Sequence, residues 1–234
     1  MKNLEIALQL VTEPKAAFES LKAAPRFWFP LLTMVLSTIL IFAWYFNIVD
    51  FAWLRDHMLN SIPNAEQMTE AQRTRAGAFI TKNSLMWSTL MGAAIGLPVV
   101  RLIEGIYYLL TGMMTKVQGL TFKQWFSLAC WTGLPAIISL IPMMILLFMR
   151  SNGQIGMESL SILSLNELFF HIPAGQKWQS LLSGITILQP WIWWLSYVGV
   201  KVFTGRGTAY CVLVVAIPFT LIYGCWAAFS AFFG

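Results

Sequence analysis

From Leu85 to Met114 the chain reads LMWSTLMGAAIGLPVVRLIEGIYYLLTGMM, thirty residues in which only Arg101 and Glu104 carry charge. As a helix rising about 1.5 Å per residue, the stretch is about 45 Å long, against about 30 Å for the hydrocarbon core of a bilayer. It spans a membrane with length to spare. Arg101 and Glu104 stand three positions apart, so a helix puts them on one face with Cβ atoms about 5–6 Å apart. Each costs about 2.5–3.5 kcal/mol at the centre of a bilayer, which directs the couple towards a protein interior, a polar cavity or the headgroups.

The rest of the composition agrees with that stretch. Charged residues make up 11% of the chain and hydrophobic ones 58%, with a mean hydropathy of +0.68. An ordinary soluble domain has about a quarter of its residues charged. Four or five spans of about 20 residues use nearly half of the 234 residues and leave little for a separate catalytic domain. Cys130, Cys211 and Cys225 lie in apolar runs without a CxxC motif or a nearby His, and they read as small core residues. The first residues, MKNLEIALQL, include Glu5 and lack an unbroken apolar run, which does not suit a cleaved signal peptide.

In chain order, residues 1–27 form a cytosolic amphipathic segment. Leu4, Leu8, Val11, Phe18 and Leu21 recur at helical spacing for burial in the interface, and Pro14 splits the helix. Five spans follow in residues 28–234, at about 28–49, 85–114, 124–149, 181–203 and 209–233. The expected fold is an all-α integral membrane protein, a five-helix transmembrane bundle with an N-terminal amphipathic helix. Between spans one and two, the polar stretch starting at Asn64 predicts a short solvated helix, with His57 isolated. Residues after Arg150 predict an interfacial loop or lid, apolar but broken by Glu158, Asn166, Glu167 and His171. Pro98, Pro135, Pro142 and Pro218 mark candidate helix breaks, since neighbouring helices satisfy freed carbonyls in a bundle.

Three groups of residues are candidates for function. Arg101 and Glu104 form either a neutralising pair that locks helices together or a site for an anionic headgroup or a solute. The aromatics Trp191, Trp193 and Trp194, together with Phe18, are candidate contacts for lipid or a partner. His171 is a loop histidine. There is no nucleophile with a base, no metal-ligand spacing and no phosphate-cradling glycine loop, so no catalytic residue, cofactor or metal is expected.

Lys and Arg divide unevenly between alternate segments. Lys2, Lys15, Lys22, Arg26, Lys116, Lys123, Lys201 and Arg206 lie in short segments beside span ends. Arg55, Arg73, Arg75, Lys82, Arg150 and Lys177 are diluted over two long loops. The positive-inside rule weighs short loops most, which predicts a cytosolic N-terminus and a C-terminus on the other side. Cations scattered this way orient a membrane protein and do not suggest nucleic acid as a partner.

Three stretches resemble the Yip1 domain family of five-span membrane proteins. PKAAFESLKAAP at Pro14–Pro25 is similar to the family's P-x3-F-x6-P pattern before the first span. GLTFKQWFSLACWTGLP at Gly119–Pro135 is similar to the start of its third span. PWIWWLSYVGVKVFTGRGTAYCVLVVAIP at Pro190–Pro218 is similar to its tryptophan-bearing fourth span, small-residue turn and proline-bearing fifth span. The resemblance implies a helical bundle without enzymatic activity that takes part in membrane organisation or trafficking complexes. Eukaryotic members carry a long N-terminal region associated with small GTPases. Only residues 1–27 precede span one here, so a GTPase partner is not expected and the chain resembles a bacterial inner-membrane member. Its expected partners are membrane lipids and either another inner-membrane complex, such as a transporter, or further copies of itself. As an accessory or scaffold subunit it would bind through its spans. As a small lipid or solute carrier it would use Arg101 and Glu104.

Overall fold

The computed structural model describes residues 2–62, 65–150 and 152–233. The protein is all-helical, with 79% of its residues in helices and no strand among those described. The helices are α1 (Asn3–Thr12), α2 (Pro14–Ala23), α3 (Trp28–Ile48), α4 (Phe51–Asn60), α5 (Glu70–Phe79), α6 (Lys82–Met91), α7 (Leu97–Met114), α8 (Phe122–Gly133), α9 (Leu140–Met149), α10 (Gln179–Gly184), α11 (Gln189–Thr204) and α12 (Thr208–Phe233). Among the described residues, four continuous helical stretches are long and apolar enough to cross a membrane: Trp28–Ile48, Lys82–Met114, Phe122–Met149 and Thr208–Phe232.

Two of these stretches contain irregular turns at the expected prolines. A π-helical turn, Gly92–Gly96, joins α6 to α7, and Pro98 follows in the first turn of α7. The wider turn accommodates a residue that has no N–H and whose ring crowds the carbonyl four positions back. Pro135 lies in a 3-10 turn, Leu134–Ser139, and Pro142 in the first turn of α9, where a missing N–H breaks no bond. Pro218 differs from these, because α12 runs through it without a break.

The stretch 181–203 is not one continuous helix. α10 ends at Gly184 and α11 begins at Gln189, with Pro190 in its first turn. Between them, Leu165 N–H donates to the Ile185 carbonyl at 2.8 Å and Ile187 N–H to the Leu163 carbonyl at 3.0 Å. A short antiparallel bridge, Ser164 with Thr186, therefore takes the backbone bonds that a helix would have used.

The chain forms two compact units. Unit 1 comprises Met1–Leu36, Ile95–Ala136 and Leu188–Gly224. Here α8 packs between α7 and α11, α2 lies against α8 and α11, and α1 lies against α2. The apolar repeat of α2 places Ala17, Phe18 and Leu21 fully inside, with Leu128, Trp131, Leu195 and Val200. Gly199 lets Phe18 in, because a Cβ there would stand 3.3 Å from the Phe18 ring and would strike Leu128. The segment between α2 and α3 is tied to α8, since the Arg26 carbonyl accepts from Ser127 Oγ at 2.9 Å and from Trp131 Nε1 at 2.5 Å. The N-terminal apolar repeat serves two surfaces. Ile6 and Leu10 are buried, whereas Leu4, Leu8 and Val11 form an exposed ridge at i, i+4 and i+7.

Unit 2 comprises Ser37–Ala94, Ile137–Ile187 and Cys225–Gly234. Its core gathers Ile41, Tyr45, Phe46 and Val49 of α3, Leu54 of α4, Met143 and Leu147 of α9, and Ile155 and Leu160 of the following loop. That loop is bonded down along its length. Tyr45 donates from its hydroxyl to the Ile155 carbonyl at 2.9 Å, and Asp50 N–H donates to the Gly153 carbonyl at 2.9 Å. Asn166 closes a further turn, donating from Nδ2 to the Ile172 carbonyl and accepting from Ile172 N–H, both at 3.0 Å. The segment before α6, expected to be polar, contains α4 with buried Leu54 and Leu59. Asn64, the expected start of the solvated helix, lies outside the described residues. Beyond it come a 3-10 turn, Ala65–Gln67, and α5.

Candidate functional site

The second apolar stretch carries the charged couple on α7, within unit 1. Helical spacing at 101, 104, 105, 108 and 112 puts Arg101, Glu104, Gly105, Tyr108 and Gly112 along one stripe. This stripe faces α8, and its glycines set the approach. A Cβ on Gly105 would stand 3.1 Å from the Phe126 Cα, and one on Gly112 would stand 3.2 Å from the Trp125 ring. Two backbones this close leave room for a guanidinium only beside another small residue. Gly133 of α8 supplies it, since a Cβ there would fall 2.6 Å from the Arg101 Cζ.

The polar atoms in this seam form a short relay. Arg101 Nη1 donates to Glu104 Oε2 at 2.6 Å and to the Ala129 carbonyl at 3.4 Å. The Tyr108 hydroxyl donates to the other carboxylate oxygen, Glu104 Oε1, at 3.0 Å. Both carboxylate oxygens therefore have a donor, and the side chains of Arg101 and Glu104 are only 18% and 17% exposed. The Arg101 Nε–H is buried and has no acceptor among the described residues. Donor and acceptor neutralise each other along α7, and the bond from Arg101 to the Ala129 carbonyl carries the group across to α8, so that it behaves as a clasp. A couple that opposes its own charges has little field left to attract a third ion.

The tryptophan cluster divides along α11. Ile192, Leu195, Ser196, Gly199, Val200 and Phe203 form the buried face of that helix. Trp193 packs on Phe219 and Tyr223 with ring centroids 5.2 and 6.5 Å away, Trp191 is half-buried, and Trp194 is exposed. Phe18, expected to meet lipid or a partner, is instead fully buried at Gly199 and is a core anchor. The reason is the side-by-side packing of α2 and α11, which turns that face of α2 inwards. Cys130 and Cys211 are buried, as expected of small core residues, whereas Cys225 is exposed on α12.

Sequence reasoning missed three partners. Tyr108 lies four residues after Glu104, a spacing that signals a same-face hydrogen bond. Gly133 is separated from Arg101 by a whole hairpin and gives no such signal. In unit 2, His57 is paired with Glu158 at 2.5 Å and stacked on Trp53 at 4.8 Å. Its carboxylate partner is 101 positions away in sequence. Among the described residues, no three His, Cys, Asp or Glu side chains converge to hold a metal ion.

No curated protein and no solved structure matches the chain. The Yip1 domain matches residues 8–229, nearly its whole length, and takes in α2, the α7–α8 seam, α11 and most of α12. The protein is thus a multi-pass membrane protein that belongs to the Yip1 domain family.

Proposed function

We propose that the protein is a non-enzymatic scaffold or accessory subunit of a bacterial inner-membrane complex. It would cross the membrane five times, with α11 as the additional crossing, a cytosolic N-terminus, and α1 lying in the interface on its Leu4, Leu8 and Val11 ridge. At 16 residues α11 is about 24 Å long, short for a bilayer core and compatible with a locally thinned one. The observation that carries the reading is the closed Arg101–Glu104–Tyr108 clasp. Among the described residues, this ion pair of the candidate spans is neutralised within α7, reaching α8 through the bond to the Ala129 carbonyl, and what the chain offers its surroundings is apolar helix surface. On α12, only 11% of the most apolar window is buried, against 39% on α3. Surface of this kind suits lipid and other membrane helices. A carrier built on the couple would need it accessible to cargo, and the clasp argues against that.

Blue-native separation and co-purification in mild detergent from native membranes test the role. A stoichiometric membrane partner is expected, and it should be lost when Leu221→Glu places charge on the exposed face of α12. A lone monomer from native membranes overturns the role. Tags at both ends, probed in intact cells, test the orientation, with only the C-terminal tag expected to react from outside.

A further inference from the structure

Unit 1 contains an open groove of about 1160 Å³ bounded by α2 and Glu13 before it, the turn before α8 with Gln124, and α11. Its volume is slightly above the roughly 300–1,000 Å³ typical of ligand sites. Lys15, Lys22 and Lys201 line it, together with Glu13 and Glu19. Lys15 and Glu19 face each other at 3.9 Å and offset one another. Lys22 and Lys201 have no carboxylate partner among the described residues. Lys22 Nζ donates to the Val202 carbonyl at 3.2 Å, which brings its half-buried ammonium to the residue next to Lys201. Lys201 Nζ donates to the Tyr197 hydroxyl at 3.1 Å and stands 5.5 Å from the centre of that ring. Two cations are thus held at one end of α11 by neutral groups alone.

A second crevice of about 460 Å³ adjoins the first. Its walls are Trp193, Val212, Val215, Phe219 and Tyr223, almost without polar surface. Trp194 and Tyr197 line both spaces, so the cationic groove opens directly onto the apolar one. The tyrosine hydroxyl and the exposed indole at that junction match the aromatic side chains that sit at headgroup level in membrane proteins. A cationic head site continuous with an apolar slot has the shape and charge of an amphiphile that carries a negative head.

We infer that this double groove binds one anionic phospholipid, with its phosphate on Lys22 and Lys201 and an acyl chain along Trp193, Val215 and Phe219. The inference deepens the scaffold reading and rests on it in one respect, that α11 crosses the membrane. A resident lipid at this place would join α2, α11 and α12 and would make the bundle sensitive to the anionic lipid content of its leaflet. Zwitterionic phospholipid fits the apolar slot too but lacks the net charge that Lys22 and Lys201, neither ion-paired among the described residues, select.

The test uses full-length protein delipidated in detergent and returned to nanodiscs of phosphatidylcholine with a small fraction of phosphatidylglycerol, with retained lipid read by native mass spectrometry. Wild type is expected to hold one phosphatidylglycerol in preference to phosphatidylcholine. At about 1 kcal/mol per cation, Lys22→Gln and Lys201→Gln should each weaken retention about fivefold and the double variant about 25-fold. Lys22→Arg and Lys201→Arg should restore it, and Lys116→Gln, outside the groove, should leave it unchanged. Trp194→Ala should release both lipids alike. Equal retention of the two lipids by wild type, undiminished phosphatidylglycerol in the double variant, or displacement by inorganic phosphate alone would each overturn the inference. Lys22→Gln also removes a bond to Val202. If its melting temperature falls, Lys201→Gln decides the question, since among the described residues that ammonium hydrogen-bonds to Tyr197 alone. Failure of the scaffold role is read separately, from co-purification, and leaves lipid retention untouched.

Discussion

The two units use nearly equal shares of one chain but differ in charge and in what joins them. Unit 1 carries nine Lys and Arg against four Glu, whereas unit 2 carries six against six Asp and Glu. In unit 1 the ion pair is local, three residues apart on one helix, and helices approach closely through Gly105, Gly133 and Gly199. In unit 2 the pair His57–Glu158 is distant in sequence, and backbone-directed bonds from Tyr45, Asp50 and Asn166 fasten a long loop. One unit is therefore held by helix packing and keeps its cations available at the surface. The other adds polar loop bonds to its hydrophobic core and is charge-neutral. Excess cations in the unit that contains the N-terminus and both short turns also agree with the proposed orientation.

If packing governs unit 1, the largest loss should come from Phe18→Ala, which empties a fully buried ring site between α2 and α11. About 3–5 kcal/mol is expected, read as a shift in the denaturant midpoint by tryptophan fluorescence. The corresponding contact in unit 2, removed by Tyr45→Phe, leaves the ring in place and deprives only the Ile155 carbonyl of its donor, for about 1–2 kcal/mol. Comparable losses from the two variants would erase the contrast between the units.

The clasp provides a sharper test, because it separates a structural couple from a working one. Glu104→Leu alone strands the guanidinium between α7 and α8 and should cost about 3 kcal/mol, the low end for a broken buried pair given its partial exposure. Arg101→Met with Glu104→Leu removes both charges and the unpartnered Nε, and should return stability to within about 1 kcal/mol of wild type. Thermal unfolding of the single and double variants measures this. A stable double variant that no longer supports the native complex would mean that the charges serve more than packing.

The sequence already contained most of the clasp. The three-residue spacing and the cost of charge in hydrocarbon pair Arg101 with Glu104, and four of the five expected spans follow from apolar run length. Other features depended on distant partners. Gly133 is needed because Arg101 lies across from it, and nothing in the periodicity of α8 says so. Phe18 shares its spacing with Leu4, Leu8 and Val11, but a break at Pro14 turned α2 towards α11, so one apolar pattern produced an exposed ridge and a buried core. The stretch 181–203 is apolar enough for a helix, yet two bonds, to Leu163 and Leu165, take the backbone groups of Ile187 and Ile185 and hold Thr186 in a bridge. Competition of that kind between local propensity and a distant strand-like partner leaves no mark on either segment alone.

The loop fastenings of unit 2 should give intermediate effects. Asn166→Ala removes both side-chain bonds to Ile172 and leaves a half-buried donor and acceptor without these partners, for about 2 kcal/mol. Amide hydrogen exchange should rise across residues 164–172 while α8 and α11 stay protected. Equal exchange in both units would mean that the loop folds together with the helix core.

The smallest expected effect bears on charge. Arg73 in unit 2 is half-buried and donates to the Asn60 side chain, a contact within reach of water. Arg73→Gln should change stability by no more than about 0.5 kcal/mol, because an exposed polar contact exchanges readily for solvent. Removing it nevertheless lowers the protein's net charge by one, the same amount as Lys201→Gln. If net charge alone drew anionic lipid to the protein, the two variants would bind phosphatidylglycerol equally weakly. If the groove beside α11 is what selects it, Arg73→Gln should bind like wild type and Lys201→Gln should not. The same retention measurement on the two single variants therefore decides whether the cation excess of unit 1 acts as a diffuse field or as a built site.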